Sequence, residues 1–379
     1  WLARSGHEVT LVERAPAPRS GGYVIDFWGA GYDIAERMGV LPRILEQGYR
    51  VREVRLVDRA GEKVGGFATD VFVRATGGRF TSIRRSDLAK AIFDDLGGRI
   101  ETIFGDSVAT IDDRGDCVSV TFERTASREV DLVIGADGLH SRVRGLVFGD
   151  DRDLEVPLGY HVAAFEVGGY RPRDELVYVT YAVPGRQLSR FAMRDDRTLF
   201  LAIFRDEYCI GPDGASADAN ADPKAIVRRI YSELGWECAR IVEAMDAAGE
   251  IYFDRVSQIR MRRWASGRVA LVGDAAACVS LLAGEGTGLA MTEAYVLAAE
   301  LAAAKGDHRT AFAAYERRMM PFLEKKQRSA ARFASSFVPK TAMGLAFRNV
   351  VTKLLRFGPV ADWFIVRDLR DDIVLPPAP

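Results

Sequence analysis

Arg268-Val-Ala-Leu-Val-Gly-Asp274-Ala-Ala276, followed by Gly284-Glu-Gly-Thr-Gly288-Leu-Ala290, is the stretch whose reading decides the fold. Val269 to Val272 is a short apolar run, as a strand buried on both faces of a parallel sheet requires. It ends in Gly273-Asp274, which puts a small residue and a carboxylate at the strand's carboxyl edge. Open α/β sheets bind their ligands at that edge. A glycine there admits close approach of a ligand to the backbone, and an aspartate accepts hydrogen bonds from a polyhydroxyl chain. Three glycines at alternate positions then lead into an alanine- and leucine-rich helix predicted over 289–304. The free amides and positive dipole end of a helix start suit a partner that carries or develops negative charge. The stretch reads as half of a nucleotide or flavin site.

Working outward, a second apolar run, Leu132-Val-Ile-Gly135, ends in Ala136-Asp137-Gly138-Leu-His140-Ser141-Arg-Val-Arg144. An aspartate and a glycine at a strand end, with serine and arginine one helical turn on, can meet pyrophosphate and ribityl groups. By itself such a loop also reads as an ordinary capped helix start, since Asp and Ser favour N-caps in any protein. Further upstream, Glu8-Val-Thr-Leu-Val-Glu13 alternates and ends on an acid, as the second strand of a dinucleotide-binding unit does. The G-x-G-x-x-G turn of such a unit precedes its helix, and here the chain opens at Trp1 in what reads as a helix end. Roughly fifteen to twenty residues are therefore expected upstream of Trp1, by the usual size of that unit.

Between these landmarks, a helix ending at Gly39 and a hairpin over 51–67 are predicted. So are a helix over 86–96 capped by Ser86, and two strands over 107–124. From Leu158 to Phe204 the pattern changes to long antiparallel strands with turns near Arg171-Pro172, Pro184-Gly185 and Asp195-Asp196. Residues 223–248 read as helical, 251–261 as a strand returning to the first domain, and the remainder as helical. With 379 residues the chain is long enough for two domains. A formal net charge of −1 without charge runs gives no reason to expect nucleic acid or an anionic surface. The four cysteines, Cys117, Cys209, Cys238 and Cys278, form no C-x-x-C, which argues against a redox dithiol or a zinc site, and free thiols suggest a reducing, cytoplasmic setting. No apolar run reaches the roughly eighteen residues of a membrane span.

The joint order of acid-ended strand, GADG loop, sheet domain and GD loop with a glycine-led helix resembles the class A flavoprotein monooxygenases built like para-hydroxybenzoate hydroxylase. Within that family it is more similar to the tetracycline-inactivating flavoenzymes and related aromatic hydroxylases, over nearly the whole chain from Ser5 to about Phe322. The resemblance implies a Rossmann-like α/β FAD-binding domain with an inserted antiparallel-sheet substrate domain and C-terminal helices. The FAD domain is expected at 1–50, 81–156 and 255–325, the sheet domain at 51–80 and 157–254, and the helical segment at 326–379. It further implies that Glu13, with Arg14, binds the adenosine ribose. Arg85 contacts the cofactor, and Asp137-Gly138 lies near the pyrophosphate and the nicotinamide cofactor. Gly273-Asp274 holds the ribityl and pyrophosphate part of FAD, and Gly284, Gly286, Thr287 and Gly288 lie along the pyrimidine edge of the flavin. A reduced flavin is negative around N1, so a helix start is a preorganised donor array for it.

By the same resemblance, Gly21-Gly22-Tyr-Val-Ile-Asp26 matches a mobile loop between flavin and solvent. The chain departs from the family at Leu281, where proline is usual, and at Glu285, where glutamine is usual. The implied activity is NAD(P)H-dependent hydroxylation of an aromatic or polyketide-like small molecule by a flavin C4a-hydroperoxide, with O2 as co-substrate. That chemistry needs no obligatory protein nucleophile, so no catalytic side chain is assigned. A flavin-dependent reductase or dehydrogenase of the same fold, and a non-catalytic flavin-binding protein, are the alternatives. His140 and His161 read as structural hydrogen-bonders, and Cys278 as a packing residue. Trp236, Tyr160, Phe165 and Tyr181 read as pocket or core. A C-terminal stripe of Met343, Phe347, Val350, Val351, Leu354 and Leu355 reads as packed on the protein itself.

Overall fold

The computed structural model describes residues 1–18, 23–149, 154–209, 222–249, 251–355 and 371–379. Strands and helices are numbered in chain order. Two parallel pairs carry the ligand-side strand ends. β1 (Thr10–Glu13) lies beside β6 (Glu101–Phe104), and β10 (Val133–Gly135) lies beside β17 (Val269–Leu271), which β16 (Ala265–Ser266) extends. β17 is buried on both faces, as its unbroken apolar run demands. The register Val133↔Val269 sets Gly135 level with Leu271. The two glycine–aspartate loops thus leave the same sheet side by side.

β2 (Val24–Trp28) pairs with β5 (Phe80–Arg84), and β7 (Val108–Asp113), β8 (Val118–Phe122) and β9 (Arg128–Val130) form a small antiparallel sheet. The large sheet has the order β15 (Tyr252–Ile259), β11 (Glu155–Gly168), β14 (Arg197–Arg205), β13 (Arg186–Ala192), β12 (Val177–Val183), β3 (Glu53–Val57), β4 (Lys63–Ala68). β15, expected to return to the first domain, instead pairs with β11 from Ala164↔Tyr252 to Glu155↔Ile259 and belongs to this sheet. Its end meets the Asp274 loop, where the Ile259 amide donates to the Cys278 carbonyl at 3.2 Å.

The helices are α1 (Gly29–Met38), α2 (Leu41–Gln47), α3 (Asp70–Ala75), α4 (Arg85–Leu96), α5 (Arg142–Phe148), α6 (Pro223–Tyr231), α7 (Cys238–Met245), α8 (Asp274–Ala277), α9 (Gly286–Ala303), α10 (His308–Phe337) and α11 (Ala342–Leu354). Ser86 does not cap α4. The β2–β5 pairing continues to Val24↔Arg84, so the chain turns into the helix at Arg84 and Ser86 falls inside the first turn. α10 runs unbroken through 325–326, with Pro321 inside it, so no boundary falls there.

One face of the large sheet, with Ala163, Phe165, Phe200 and Phe204, packs against α6 and α7. The opposite face presents Tyr160, Val162 and Ile203 to Leu281 and Leu282 of the loop between α8 and α9. α11 corrects the packing expected of its apolar stripe. Leu345 and Arg348 face inward, the latter donating to Gln187 Oε1 at 2.9 Å, and Thr352 Oγ1 accepts from the Gly66 amide at 3.3 Å. Met343, Phe347, Val350 and Leu354 face outward. Among the described residues no helix is long and apolar enough to cross a membrane.

Candidate functional site

The site grows from the paired ends of β10 and β17. The Val272 amide donates to the Gly135 carbonyl at 2.9 Å. A side chain at Gly135 would meet Leu271 at 2.6 Å and Val143 at 2.8 Å, so this glycine serves strand–helix packing. Gly273 has φ +64°, a conformation that costs a residue with a side chain, and its amide donates to Glu293 Oε2 at 3.0 Å. The chain then turns at once into α8, where the Ala276 and Ala277 amides both bond back to the Gly273 carbonyl at 2.9 Å. Asp274 is thereby aimed across the loop at the start of α9. A Cβ on Gly286 would stand 3.8 Å from Asp274 Oδ1.

Burial raises the Asp274 carboxyl above the usual carboxylate range, opposed by the Cys278 thiol and the Arg85 guanidinium. Arg85 also acts on the Tyr23 phenol, which burial raises. Asp274, Arg85, Tyr23 and Gly286 therefore share one neighbourhood. Tyr23 lies 5.7 Å, ring to ring, from Tyr252, whose hydroxyl donates to Asp254 Oδ2 at 3.3 Å. His140 Nε2 is 3.2 Å from Asp254 Oδ1, and that hydrogen bond raises the exposed imidazole above its ordinary value.

Asp137 is placed as a capping residue. Its Oδ1 accepts from the Ser141 hydroxyl at 2.5 Å and its Oδ2 from the Val143 amide at 3.0 Å. Ser141 in turn accepts from the Arg144 amide at 3.0 Å. Gly138 has φ +84° with open space where a side chain would stand, as does Gly284 at φ +69°. Glu13 ends β1, in the other parallel pair, with Arg14 just beyond it, and the Glu13 carboxylate accepts from the Ala15 amide at 2.7 Å. Gly21 and Gly22 of the expected mobile loop lie outside the described residues.

Gly286, Thr287 and Gly288 form the first turn of α9, whose amides have no acceptor within the helix. Glu285 occupies the N-cap without a side-chain capping bond. Gly288 has a packing duty as well. α1 crosses α9 so closely that a Cβ on Gly31 would come within 2.4 Å of Gly288 Cα. Leu281 lies in a 3-10 turn against Tyr160 and the front of the large sheet. Among the aromatic candidates only Tyr160 faces this loop. Phe165, Tyr181 and Trp236 belong to the core behind the sheet. His161 is behind it too, stacked between Phe204 and Phe253 and 2.9 Å from Asp206.

Three supporting residues, Glu293, Lys326 and Asp371, escaped the sequence reading, and Arg144, read there as part of the second loop, ties the two loops together. Glu293 is buried under Gly273 and also receives the Tyr315 hydroxyl at 2.9 Å; burial raises its carboxyl well above the usual range. An acid in the midst of the apolar run from Leu289 to Ala299 was the available signal. Arg144, fully buried, donates to the carbonyls of Ala275 at 3.0 Å and Leu139 at 2.5 Å. Lys326 and Asp371 stand beside Glu285.

A flavin dinucleotide needs a hydroxyl acceptor, an anion-binding helix start and glycine-bared backbone between them. Asp274, the uncapped first turn of α9 and the open Gly284–Gly286 backbone meet those needs. The family described as "FAD binding domain" matches residues 1–330. The chain is 40% identical over 331 residues to the uncharacterized protein Rv1260 of Mycobacterium tuberculosis, covering 86% of this chain and 87% of that one. It is 33% identical over 347 residues to a flavin-dependent monooxygenase of an unknown prokaryotic organism, covering 90% and 86%. The crystal structure of the tetracycline destructase Tet(51) superposes with a TM-score of 0.81 at 29% identity, covering 99% of this chain and 94% of that one. With the Asp274 loop and the α9 start in place, these likenesses identify the chain as a member of the FAD binding domain family and an FAD-dependent monooxygenase of the class A type.

Proposed function

We propose that the protein uses NAD(P)H and O2 to hydroxylate an aromatic or polyketide-like small molecule. The observation that carries this reading is the meeting of Asp274 with the uncapped start of α9, in a loop whose Leu281 and Leu282 face the front of the large sheet. FAD, when bound there, supplies the oxygen-activating chemistry. Asp274 would accept from the ribityl hydroxyls, and the amides of Gly286, Thr287 and Gly288, bared by Gly284, would favour the negative charge of the reduced ring. Arg85, Asp137-Gly138 and Gly273 would flank the cofactor, with Glu13 and Arg14 at the adenosine end.

Leu281 and Leu282, seated on the buried Tyr160, Val162 and Ile203, would present an apolar wall to the substrate and shield the reacting atoms from water. A polyketide-like substrate is favoured by the likeness to a tetracycline destructase, and an aromatic one by that apolar wall. No side chain is assigned as a base. The free cysteines suit a cytoplasmic enzyme.

The test is oxygen labelling. With NAD(P)H and a panel of phenolic and polyketide substrates under 18O2, one labelled oxygen is expected in the product. A product formed equally well under nitrogen would instead make the protein a reductase.

A further inference from the structure

Glu285 puts a charge at the start of the helix that would receive the cofactor. Its carboxylate does not turn back onto its own helix. It lies 2.7 Å from Nζ of Lys326 on α10, and Asp371 holds the same ammonium at 2.7 Å. All three side chains are largely buried, with exposures of 16% for Glu285, 10% for Lys326 and 11% for Asp371, so this is no solvated surface pair. Burial alone would lower the Lys326 ammonium; the two carboxylates outweigh it and hold it above its ordinary value. Asp371 carries the connection further, because its Oδ2 accepts from the Ala30 amide at 2.7 Å in the first turn of α1. A Cβ at Gly29 would stand 2.2 Å from that carboxylate. α1 and α9 therefore begin on one buried cluster centred on Lys326, and they cross just beyond it at Gly31 and Gly288.

A carboxylate at an N-cap that lacked a partner would be drawn to the amides of its own helix by hydrogen bonding and by the dipole. There it would compete with, and repel, an anionic ligand. We propose that Lys326 is a positioning residue for the cofactor: it draws the Glu285 carboxylate off the start of α9, leaves the amides of Gly286, Thr287 and Gly288 to the flavin, and through Asp371 fixes the start of α1 at the same point. This rests on the reading of α9 as the cofactor-binding helix. Lys326 acts through Glu285 and Asp371 and takes no part in the chemistry.

The test compares Lys326→Met, Glu285→Gln and the double variant in the full chain. FAD dissociation constants, flavin midpoint potentials and amide hydrogen exchange of the apoprotein around Ala30 are measured. Lys326→Met is expected to weaken FAD binding by about tenfold or more, the loss of a single strong contact. It should also shift the midpoint potential downward, because negative charge near the ring disfavours the reduced anion, and speed exchange at Ala30. Glu285→Gln in the Lys326→Met background is expected to recover most of the affinity and potential, which a merely structural lysine would not allow. Wild-type affinity and potential in Lys326→Met, or a double variant as weak as the single, would overturn the proposal. If the wild-type chain took up no FAD, the monooxygenase reading would fail separately. The clamp would then be judged by exchange alone, with unchanged protection at Ala30 in Lys326→Met refuting it.

Discussion

The α1–α9 crossing makes an asymmetric prediction about two glycines in one contact. A Cβ at Gly31 would lie 2.4 Å from Gly288 Cα and 3.1 Å from its carbonyl carbon and oxygen. Carbon atoms rest at about 3.5–4.0 Å, so the helices would have to part by roughly 1 Å. Overpacking of this kind costs about 1–3 kcal/mol. The helical preference of alanine over glycine returns about 0.5–1 kcal/mol, leaving Gly31→Ala destabilised by about 1 kcal/mol, within a range of about 0–2.5 kcal/mol. In the reverse direction, a Cβ at Gly288 finds its nearest neighbour, Gly31 Cα, at 3.6 Å, an ordinary contact. Gly288→Ala, with the same helical preference and no clash, is therefore expected to match wild type or to exceed it by up to about 1 kcal/mol. Urea unfolding of the apoproteins, followed by circular dichroism, measures both. A Gly31→Ala variant as stable as Gly288→Ala would refute the geometry of the crossing.

Three further outcomes follow from the same site. Asp274→Asn keeps the shape but loses the charge, so FAD affinity should fall by about 1.5–3 kcal/mol, the worth of a hydrogen bond to a charged group. Because burial already opposes that charge, the apoprotein should lose no stability; a destabilised apoprotein with normal FAD affinity would reverse the assignment. Burial holds Glu293 well above the usual carboxylate range, so the folded state keeps a proton that the unfolded chain has lost. Stability should then fall as pH rises from the unfolded value near 4.3 through the folded one, by up to about 1.4 kcal/mol per pH unit. Glu293→Gln should remove that part of the slope, and apoprotein unfolding at pH 5 and pH 8 would contradict this if the variant lost as much as wild type. Ser141→Ala removes the cap of α5 and one partner of Asp137, with an expected loss of about 1 kcal/mol in thermal unfolding; no loss would show that the cap carries no weight.

The parts of the fold legible in the sequence are those governed by local pattern. The apolar runs ending at Gly135 and Val272 and the glycine-led helix after Gly284 needed no knowledge of their partners, and they are brought to one sheet edge. What escaped depends on contacts between distant segments. Nothing near Glu285 in sequence announces Lys326 on α10 or Asp371 near the C-terminus, yet these decide whether its charge is compensated. The face of a strand residue depends on register, because side chains alternate; Tyr160 and His161 are adjacent in sequence and stand on opposite faces. α11 shows the limit of hydrophobic periodicity. Its inward face carries Arg348 and Thr352, whose polar groups find partners on the sheet, so Met343, Phe347, Val350 and Leu354 of the apolar stripe are left outside while Leu355 packs near Val71. Asp137 kept both its readings in sequence, and the structure gives it the capping bonds.

The most direct test of the central claim is the visible absorption spectrum of the purified protein before and after incubation with FAD. Oxidised-flavin bands at one flavin per chain, with FAD released on denaturation and binding weakened in Asp274→Asn, are the expected result. A protein that stays colourless in the presence of excess FAD would contradict the account.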